Sequence, residues 1–290
     1  MGWRAVLVPA TVPGSSVEAM TKTILITGSS SGIGKATATF FHDQGWNVVA
    51  TMRDPEPETE LTALDGVLVT RLDVQDPDSI TAAVARGIER FGRIDVLLNN
   101  AGYGAYGLLE ATPAAKIRRQ FDVNVVGLLE TTKAVLPHFR ANRGGTIVNI
   151  SSVGGKITFP LGALYHGSKF AVEGLSEALH YELATIGVRV KIVEPGFVRT
   201  DFGGRSLDFT NDESLTEYQE FVGAFSAALA QMGSAGDDPV VVAETVFRAA
   251  TDATDQLRYT AGPYAAEILA ARAASDDATF IGGLKKQFGI

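Results

Sequence analysis

The hydrophobic pattern divides the chain into short runs, most of them apolar throughout, and longer amphipathic stretches, and the two alternate from about residue 22 to 195. The short runs are rich in β-branched residues, which is typical of strands buried on both faces of a parallel sheet. Strands that alternate with helices imply right-handed crossovers, so we expect a doubly wound α/β sheet with helices on both faces. The predicted strands lie at 22–27, 46–51, 67–72, 94–99, 145–150 and 188–194, with a seventh at 256–261.

Start signals support several of the predicted helices. Asp76-Pro77, Thr112-Pro113 and Asp238-Pro239 each place a capping side chain before a proline at the first helical position. No linker, repeat or low-complexity segment interrupts the alternation. We therefore expect residues 21–290 to form a single domain.

Two segments depart from this alternation. Residues 197–237 are too long for a bare connection, so we expect a lid over a functional site, with a short helical pair that patches the core as the alternative. Residues 1–20 hold only a short apolar run followed by two prolines, which favours a disordered leader or an extended start over a signal peptide. The apolar side chains of the lid are Phe202, Phe209, Tyr218, Phe221 and Phe225.

Composition narrows the classes of function. The 290 residues contain no cysteine, which excludes disulfides, thiolate metal sites and a cysteine nucleophile. A net charge of −8, with both signs interspersed, argues against a nucleic-acid partner. No apolar run approaches the roughly 18–20 residues of a membrane span. We therefore expect a cytoplasmic protein that acts on a small molecule, without a nucleic acid or a membrane as partner.

The stretch TGSSSGIG, residues 27–34, lies between the first predicted strand and the first predicted helix, which argues against a flexible linker. A hydrolase nucleophile elbow also needs a strand–turn–helix, and GSSSG satisfies G-x-S-x-G. However, no earlier strand precedes the motif to supply the oxyanion-hole amide. A phosphate-binding loop is favoured, in which Gly28 makes the turn, Gly32 admits a pyrophosphate and Gly34 lets the helix pack on the sheet.

Polar and small residues follow the carboxyl ends of the other predicted strands, where ligands of such sheets bind. Tyr165 and Lys169 lie four positions apart and share a helix face, and Ser152 follows the fifth strand. An adjacent ammonium favours the phenolate and is expected to lower the pKa of Tyr165 from its usual value of about 10. The Ser152 hydroxyl can then hold and polarise a carbonyl oxygen.

Together these motifs resemble the short-chain dehydrogenase/reductase family. The resemblance covers about residues 22–201 and implies a Rossmann-type nicotinamide enzyme that interconverts a ketone or aldehyde and an alcohol. It rests on TGSSSGIG, on NNAG at 99–102, on Asn124, on Ser152 with Tyr165-x-x-x-Lys169, and on PG at 195–196 followed by Thr200.

The same resemblance implies roles for individual residues. Tyr165 is the general acid/base, and Ser152 orients the substrate oxygen. Lys169 binds the nicotinamide ribose and lowers the pKa of Tyr165, while Asn124 supports a water that passes protons to Lys169. The residues expected to bind the cofactor are Gly28, Ser30, Gly32, Ile33, Gly34, Arg53, Asp73, Val74, Asn100, Gly102, Tyr165, Lys169, Pro195, Gly196, Val198 and Thr200.

The end of the second strand indicates which cofactor binds. A carboxylate there would bond the ribose 2′-hydroxyl of NAD(H), but the chain has Met52 followed by Arg53. Arg53 can pair with a 2′-phosphate bidentately and Ser30 can donate a hydroxyl. We therefore expect NADP(H) to be preferred, with NAD(H) possible. The alternative is a surface ion pair of Arg53 with Asp54 or Glu56.

The remaining expectations concern the substrate and the assembly. An apolar substrate pocket is expected from Tyr103, Tyr106, Phe159, Leu161, Phe197 and Phe202. The helices at 113–141 and 163–186 resemble those that pair in family dimers, so we expect a homodimer or homotetramer. No metal site is expected, because Glu177 and His180 lack a second ligand pair. The alternative to an enzyme is a cofactor-sensing protein that kept the fold and lost the chemistry.

Overall fold

The computed structural model describes residues 21–234 and 236–289. The predicted leader or extended start at residues 1–20 lies outside the described residues. Within those ranges, seven parallel strands form the main sheet in the order β3-β2-β1-β4-β6-β7-β9, and β5 pairs with β8 in a second, two-stranded sheet. The strands are β1 (Thr23–Thr27), β2 (Asn47–Met52), β3 (Val67–Arg71), β4 (Val96–Asn99), β5 (Gly104–Gly107), β6 (Gly145–Ile150), β7 (Val188–Pro195), β8 (Leu207–Thr210) and β9 (Arg258–Ala261).

All seven predicted strands are confirmed as members of the main sheet, with ends that shift by at most two residues. The strand order reverses between β1 and β4, so a crevice opens beyond the carboxyl ends of these two strands. The described helices are α1 (Gly32–Asp43), α2 (Pro77–Phe91), α3 (Ala114–Phe121), α4 (Gly127–Ala141), α5 (Ala163–Ala184), α6 (Phe202–Arg205), α7 (Gln219–Ser234), α8 (Pro239–Thr251), α9 (Pro263–Ala273) and α10 (Asp277–Gln287).

The helices cover both faces of the main sheet, as the uniformly apolar strands predict. Helices α1 and α8 pack on one face, where Phe41 and Val246 are fully buried. Helices α2, α4 and α5 cover the other face, where Ile80 and Phe139 join the core. The fold is therefore the doubly wound Rossmann-type sheet that was predicted. No helix in the described ranges is both long and apolar enough to cross a membrane.

Two of the three predicted helix caps are confirmed. The Asp76 carboxylate accepts hydrogen bonds from two amides of the first turn of α2, and that of Asp238 accepts one in α8. The prediction for Thr112 is wrong, because Pro113 is the residue that precedes α3 in extended conformation. The Thr112 hydroxyl instead donates to the carbonyl oxygen of Leu108 at 2.7 Å, so it is engaged in the preceding turn.

The helix predicted at 113–141 is divided by a π-helical turn at Asp122–Val126, between α3 and α4. Such wide turns are rare and often occur at functional sites. Asn124 lies at the centre of this turn and is buried.

The segment at 197–237 contains α6, β8, a 3₁₀ turn at Thr216–Tyr218 and α7. Its strand β8 runs parallel to β5, and the pattern did not predict this pair. Gly107 makes the pairing possible, because its φ is +128° and a Cβ there would overlap the carbonyl oxygen of Thr210. Phe225 of α7 is buried against Phe288 near the end of the chain, so the segment packs on the core as well as covering a cavity.

Candidate active site

A cavity of about 900 Å³ lies beyond the carboxyl ends of the parallel strands. Of the residues predicted for catalysis and cofactor binding, all but one line this cavity; the exception is Asn124. Five of the six residues predicted for the substrate pocket, all of them aromatic, also line the cavity. The lining residues predicted from the sequence are Gly28, Ser30, Gly32, Ile33, Gly34, Arg53, Asp73, Val74, Asn100, Gly102, Ser152, Tyr165, Lys169, Pro195, Gly196, Val198 and Thr200, with Tyr103, Tyr106, Phe159, Phe197 and Phe202.

The prediction that Leu161 lines the substrate pocket is wrong. Leu161 adopts a left-handed backbone with φ of +56°, and its carbonyl oxygen accepts from the amide of Gly107 at 2.8 Å. This hydrogen bond holds the loop before α5 against β5. Leu161 therefore packs behind the cavity wall.

The glycine-rich loop between β1 and α1 has the backbone that a phosphate group requires. Gly28 has a φ of +73°, and a Cβ there would lie 3.0 Å from the Cα of Ala101. A Cβ at Gly34 would overlap the carbonyl oxygen of Gly28. Ser31 precedes α1 without a capping side-chain hydrogen bond, so the first amides of the helix stay available for an anion. These residues fit a dinucleotide pyrophosphate.

Asn100 and Thr27 tie this loop to the end of β4. The Asn100 Nδ2 donates to the carbonyl oxygens of Thr27 and Gly28, at 2.9 and 3.0 Å. The Thr27 hydroxyl accepts from the amides of Asn100 and Ala101, both at 3.0 Å. Two adjacent strand ends are thus fixed relative to one another, which sets the shape of the loop before any ligand enters.

At the end of β2, the cavity lining consists of Met52 and Arg53. Met52 is only 3% exposed, whereas the Arg53 side chain is exposed to solvent. In the part of the chain that the structure describes, no carboxylate pairs with Arg53, so the predicted alternative of an ion pair with Asp54 or Glu56 does not form. A guanidinium at this place can bind an anion.

Ser152 and Tyr165 face one another on the cavity wall. Ser152 begins a short 3₁₀ turn at Val153–Gly155, and its Oγ accepts from the amide of Gly154 at 2.9 Å. Removal from water raises the pKa of the Tyr165 phenol, and a hydrogen bond with Ser152 acts in the opposite direction. The phenol therefore stays protonated at neutral pH.

Lys169 lies one helical turn beyond Tyr165 and is 8% exposed. Its Nζ donates to the carbonyl oxygen of Ile150 at 2.9 Å and lies 5.9 Å from the centroid of the Tyr165 ring. Burial lowers the pKa of Lys169 to about 8, although the negative charge of Glu173 acts to raise it. The ammonium points to Ile150 and burial raises the pKa of the Tyr165 phenol, so the lowering of this pKa by Lys169 stays a prediction.

Asn124 lies behind the cavity wall. Its Oδ1 accepts from the amide of Tyr103 at 3.0 Å, and its Nδ2 donates to the carbonyl oxygen of Tyr103 at 2.9 Å and to the Ser168 hydroxyl at 3.0 Å. Ser168 in turn donates to the carbonyl oxygen of Tyr165 at 2.7 Å. Asn124 therefore joins the segment after β4 to the helix that carries Tyr165 and Lys169.

Two aromatic side chains next to Tyr165 have contacts that the sequence did not indicate. The Tyr106 ring lies 5.5 Å from that of Tyr165, and burial raises the pKa of Tyr106 well above its usual value. His166 is 2% exposed, and both of its ring nitrogens face backbone groups of the loop before α5. Only the position of His166 beside the Tyr-x-x-x-Lys motif could have drawn attention to it.

Glu177 and His180 do not form a ligand pair. The Glu177 carboxylate accepts from Arg258 at 2.7 Å, so it takes part in an ion pair at the outer end of α5. Among the described residues, no cluster of three or more histidine, aspartate or glutamate side chains has the geometry of a metal site.

Comparison with known proteins agrees with this fold and identifies the family. The family model described as "short chain dehydrogenase" matches residues 22–210. An uncharacterized oxidoreductase of Schizosaccharomyces pombe is 46% identical over 239 residues, which are 82% of this chain and 100% of that protein. A 3-ketodihydrosphingosine reductase of Bacteroides thetaiotaomicron is 41% identical over 197 residues, 68% of this chain and 70% of that protein. The chain therefore belongs to the short-chain dehydrogenase family.

Solved structures show the same architecture. A short-chain dehydrogenase from Streptomyces avermitilis superposes with a TM-score of 0.80 at 34% identity, covering 94% of this chain and 99% of that one. ElxO with NADP bound gives a TM-score of 0.69 at 28% identity, covering 83% of this chain and 98% of that one. A Burkholderia phymatum family member in complex with NAD gives a TM-score of 0.74 at 26% identity, covering 88% of this chain and 93% of that one. The chain is thus an oxidoreductase of a family whose members bind nicotinamide cofactors.

Proposed function

We propose that the protein is an NADP(H)-dependent oxidoreductase that interconverts a ketone or aldehyde and the corresponding alcohol. The observation that carries this proposal is the placement of Ser152, Tyr165 and Lys169 on one wall of the same cavity that the glycine-rich loop enters. The loop fits a pyrophosphate and the hydroxyl pair fits a carbonyl oxygen, so the cavity has room for a cofactor and a substrate side by side.

In the direction of reduction, Tyr165 acts as general acid. Its raised pKa keeps the phenol protonated at neutral pH, so it can donate a proton to the substrate oxygen as negative charge develops there. Ser152 donates a hydrogen bond to the same oxygen and holds it in place. NADPH, when bound, supplies the hydride that the carbonyl carbon receives. In oxidation the phenolate accepts the alcohol proton.

Lys169 and Asn124 support this chemistry from behind Tyr165. With a pKa of about 8, Lys169 is mainly protonated at neutral pH and can bind ribose hydroxyls. Asn124 fixes the segment after β4 and, by the family resemblance, supports a water that returns a proton to Lys169. These two roles explain why both side chains are buried beside the cavity.

A preference for NADP(H) over NAD(H) follows from the lining at the end of β2. Arg53 is exposed at the cavity and can form a bidentate hydrogen bond with a 2′-phosphate, and Ser30 lies on the same cavity wall. The apolar Met52 beside it offers no acceptor to a 2′-hydroxyl. One structural relative binds NADP and another NAD, so the preference of this protein is proposed from its own side chains.

An apolar carbonyl compound fits the substrate end of the cavity. Tyr106, Phe159, Phe197 and Phe202 contribute aromatic surface around Tyr165. The Bacteroides relative is named a 3-ketodihydrosphingosine reductase, and a reductase of a 3-keto compound is consistent with such a substrate. We also propose that residues 21–290 form one oxidoreductase domain in which the segment at 197–237 acts as the lid, because that segment supplies Phe202, Phe209 and Leu229 to the cavity wall.

We further propose a homodimer or homotetramer in the cytoplasm. The helical segments predicted to pair expose Val126, Phe170 and Tyr181 at 47%, 45% and 68%, which is a substantial apolar surface. A chain without cysteine fits a reducing compartment. Light scattering with size-exclusion chromatography tests the assembly, and a monomeric mass would contradict it.

The test of the function is NADPH consumption with a panel of apolar ketones and aldehydes, for the wild type and Tyr165→Phe. We expect turnover by the wild type and loss of turnover in Tyr165→Phe, with NADPH binding retained. Binding of NADPH by the wild type without turnover of any compound would support the sensing protein instead. Hydrolysis of an ester that is lost in Ser30→Ala would overturn the proposal.

A further inference from the structure

His166 is a buried titratable side chain on the cavity wall that the proposed reaction does not use. Its Nε2 lies 3.0 Å from the amide nitrogen of Phe159, and its Nδ1 lies 3.0 Å from the carbonyl oxygen of Gly154. An amide can only donate and a carbonyl can only accept. The two partners therefore select the neutral imidazole with the proton on Nδ1.

The imidazole occupies a slot between two glycines. A Cβ at Gly154 would lie 2.8 Å from the Nδ1 of His166, and a Cβ at Gly162 would lie 2.6 Å from its Nε2. Any side chain at either position would displace the ring. The loop before α5 is thus shaped around His166, which indicates more than the filling of a gap.

The hydrogen bond between His166 and Gly154 connects His166 with Ser152. The amide of Gly154 donates to the Ser152 Oγ at 2.9 Å, while the carbonyl oxygen of the same residue accepts from His166. Both polar groups of Gly154 are therefore engaged, and the orientation of its peptide units is fixed from both sides. His166 and the Ser152 hydroxyl are therefore connected through a single residue, Gly154.

The contact with Phe159 leads to the substrate end of the cavity. Phe159 lines the cavity, and its ring lies 5.8 Å from both the imidazole of His166 and the ring of Phe197. The titratable side chains that face His166 are Tyr165, on the same helix, and Tyr106, on β5, with ring distances of 5.5 and 5.9 Å. One imidazole thus contacts the loop of Ser152, the aromatic wall and Tyr165.

We propose that His166 is a positioning residue with two separable effects. Through Gly154, its Nδ1–H fixes the Ser152 hydroxyl opposite Tyr165; through Phe159, its Nε2 fixes the apolar wall against which the substrate packs. This inference rests on the proposed reductase function, because that function assigns the roles of Ser152 and Tyr165. The first effect acts on kcat, and the second acts on the KM for the carbonyl substrate.

Three variants separate the two effects. His166→Ala removes both hydrogen bonds. His166→Asn keeps an amide N–H close to the position of Nδ1, and His166→Gln can place its Oε1 close to the position of Nε2. We expect His166→Ala to lower kcat on the order of 100-fold, which is typical of a misplacement of about 1 Å, and to raise the KM for the substrate.

Rescue by the two amides is the decisive readout. We expect His166→Asn to recover most of kcat with a raised KM, and His166→Gln to recover KM with a low kcat. The Kd for NADPH should be unchanged in all three, because His166 contacts the substrate end of the cavity. His138→Asn is the matched control: His138 also accepts an amide hydrogen bond, from Ile94 at 3.1 Å, but is absent from the cavity wall, so its kcat should equal that of the wild type.

Equal losses in the Asn, Gln and Ala variants would show that the ring only fills space and would overturn the proposal. Wild-type kcat and KM in all three would overturn it as well. If the wild type reduces no carbonyl compound, the proposed function has failed instead. A further measurement needs no substrate: ¹⁵N NMR of labelled histidines should show His166 as the Nδ1–H tautomer at neutral pH, and an Nε2–H tautomer or an imidazolium would contradict the geometry.

Discussion

Arg258 on β9 donates from Nε to the Oε2 of Glu173 on α5 at 2.9 Å, so the last strand of the sheet is tied to the helix that carries Tyr165 and Lys169. The same guanidinium donates to Glu177 and lies 3.7 Å from the carboxylate of Glu194. Glu173 and Glu194 are 5% and 3% exposed, and burial with the neighbouring charge of Glu173 raises the pKa of Glu194. One arginine thus compensates two buried carboxylates.

Replacement of Arg258 by Met should lower the free energy of unfolding by about 3 kcal/mol, because it leaves buried carboxylates without a counter-charge. A carboxyl group whose pKa is raised in the folded state contributes stability that is fully present at low pH. This contribution is lost as the pH rises through that pKa. The loss in Arg258→Met should therefore be larger at a pH of about 8 than at about 5. Urea denaturation at both pH values measures it.

Two further variants test this explanation. Glu177→Gln removes only the exposed partner and should change stability little. Adding Glu173→Gln to Arg258→Met should restore part of the lost stability. An equal loss at both pH values would show that packing of the arginine side chain dominates, and not its charge.

Lys169 should make the folded protein less stable at neutral pH than a neutral side chain would. Its pKa is about 8 in the folded protein and about 10.5 in the unfolded protein, and this difference corresponds to a free energy of about 3 kcal/mol. This free energy opposes folding and applies in full below a pH of about 8. The penalty fades as pH rises towards about 10.5. Lys169→Met should therefore gain stability over the wild type at neutral pH and lose that gain at high pH, even though turnover is abolished.

Thermal unfolding between neutral and alkaline pH checks this prediction. Lys133→Met is the control, because it removes an exposed positive charge beside Glu130 and not a buried one. A lower Tm of Lys169→Met at every pH would mean that the hydrogen bond to Ile150 outweighs the burial of the charge.

Gly34→Ala should abolish NADPH binding. Its methyl group would overlap the carbonyl oxygen of Gly28 and lie 2.6 Å from the Nδ2 of Asn100, so the loop that receives the pyrophosphate must move. Gly282 is the matched control, since it also lies in a helix, α10, but has no neighbouring atom within 4 Å of the place that a methyl group would occupy. Gly282→Ala should bind NADPH normally and gain up to about 1 kcal/mol of stability. Fluorescence titration compares the two.

Arg53→Ala should raise the KM for NADPH by about tenfold or more, the effect of losing a hydrogen bond between charged groups, and leave the KM for NADH unchanged. Arg71→Ala provides the comparison, because Arg71 is exposed at the end of the neighbouring strand β3 and pairs with Asp76. An unchanged KM for NADPH in Arg53→Ala would remove the basis for NADP(H) preference.

The sequence was most informative where local chemistry decides the structure. The apolar runs predicted the main sheet because strands buried on both faces are apolar at most positions, without a regular alternation of polar residues. Gly28, Gly34 and the strand-end residues could be placed at one cavity because parallel strands bring their carboxyl ends to one edge. The direction of the Lys169 side chain could not be predicted, because its partner is a carbonyl group of a distant strand.

Other features had no local signal. The π-helical turn at Asp122–Val126 contains no glycine or proline that would mark it in the sequence, and its extra residue is accommodated by the contacts of Asn124 with Tyr103 and Ser168. The pair β5–β8 consists of two four-residue strands, one of them bounded by glycines, which resemble loops in a pattern of hydrophobicity. The two hydrogen bonds of His166 depend on how the preceding loop folds back, which spacing alone does not reveal.

The pairing of β5 with β8 joins segments that are about a hundred residues apart in the chain, and it forms outside the main sheet. Contacts between such distant segments close late, because the entropy of the long loop is lost before they form. We therefore expect the outer wall of the cavity to be the last part of the protein to fold and the first to open. Hydrogen exchange should be fast at β5 and β8 while β1 and β4 remain protected. The cavity could then admit and release ligands through local openings that leave the main sheet intact.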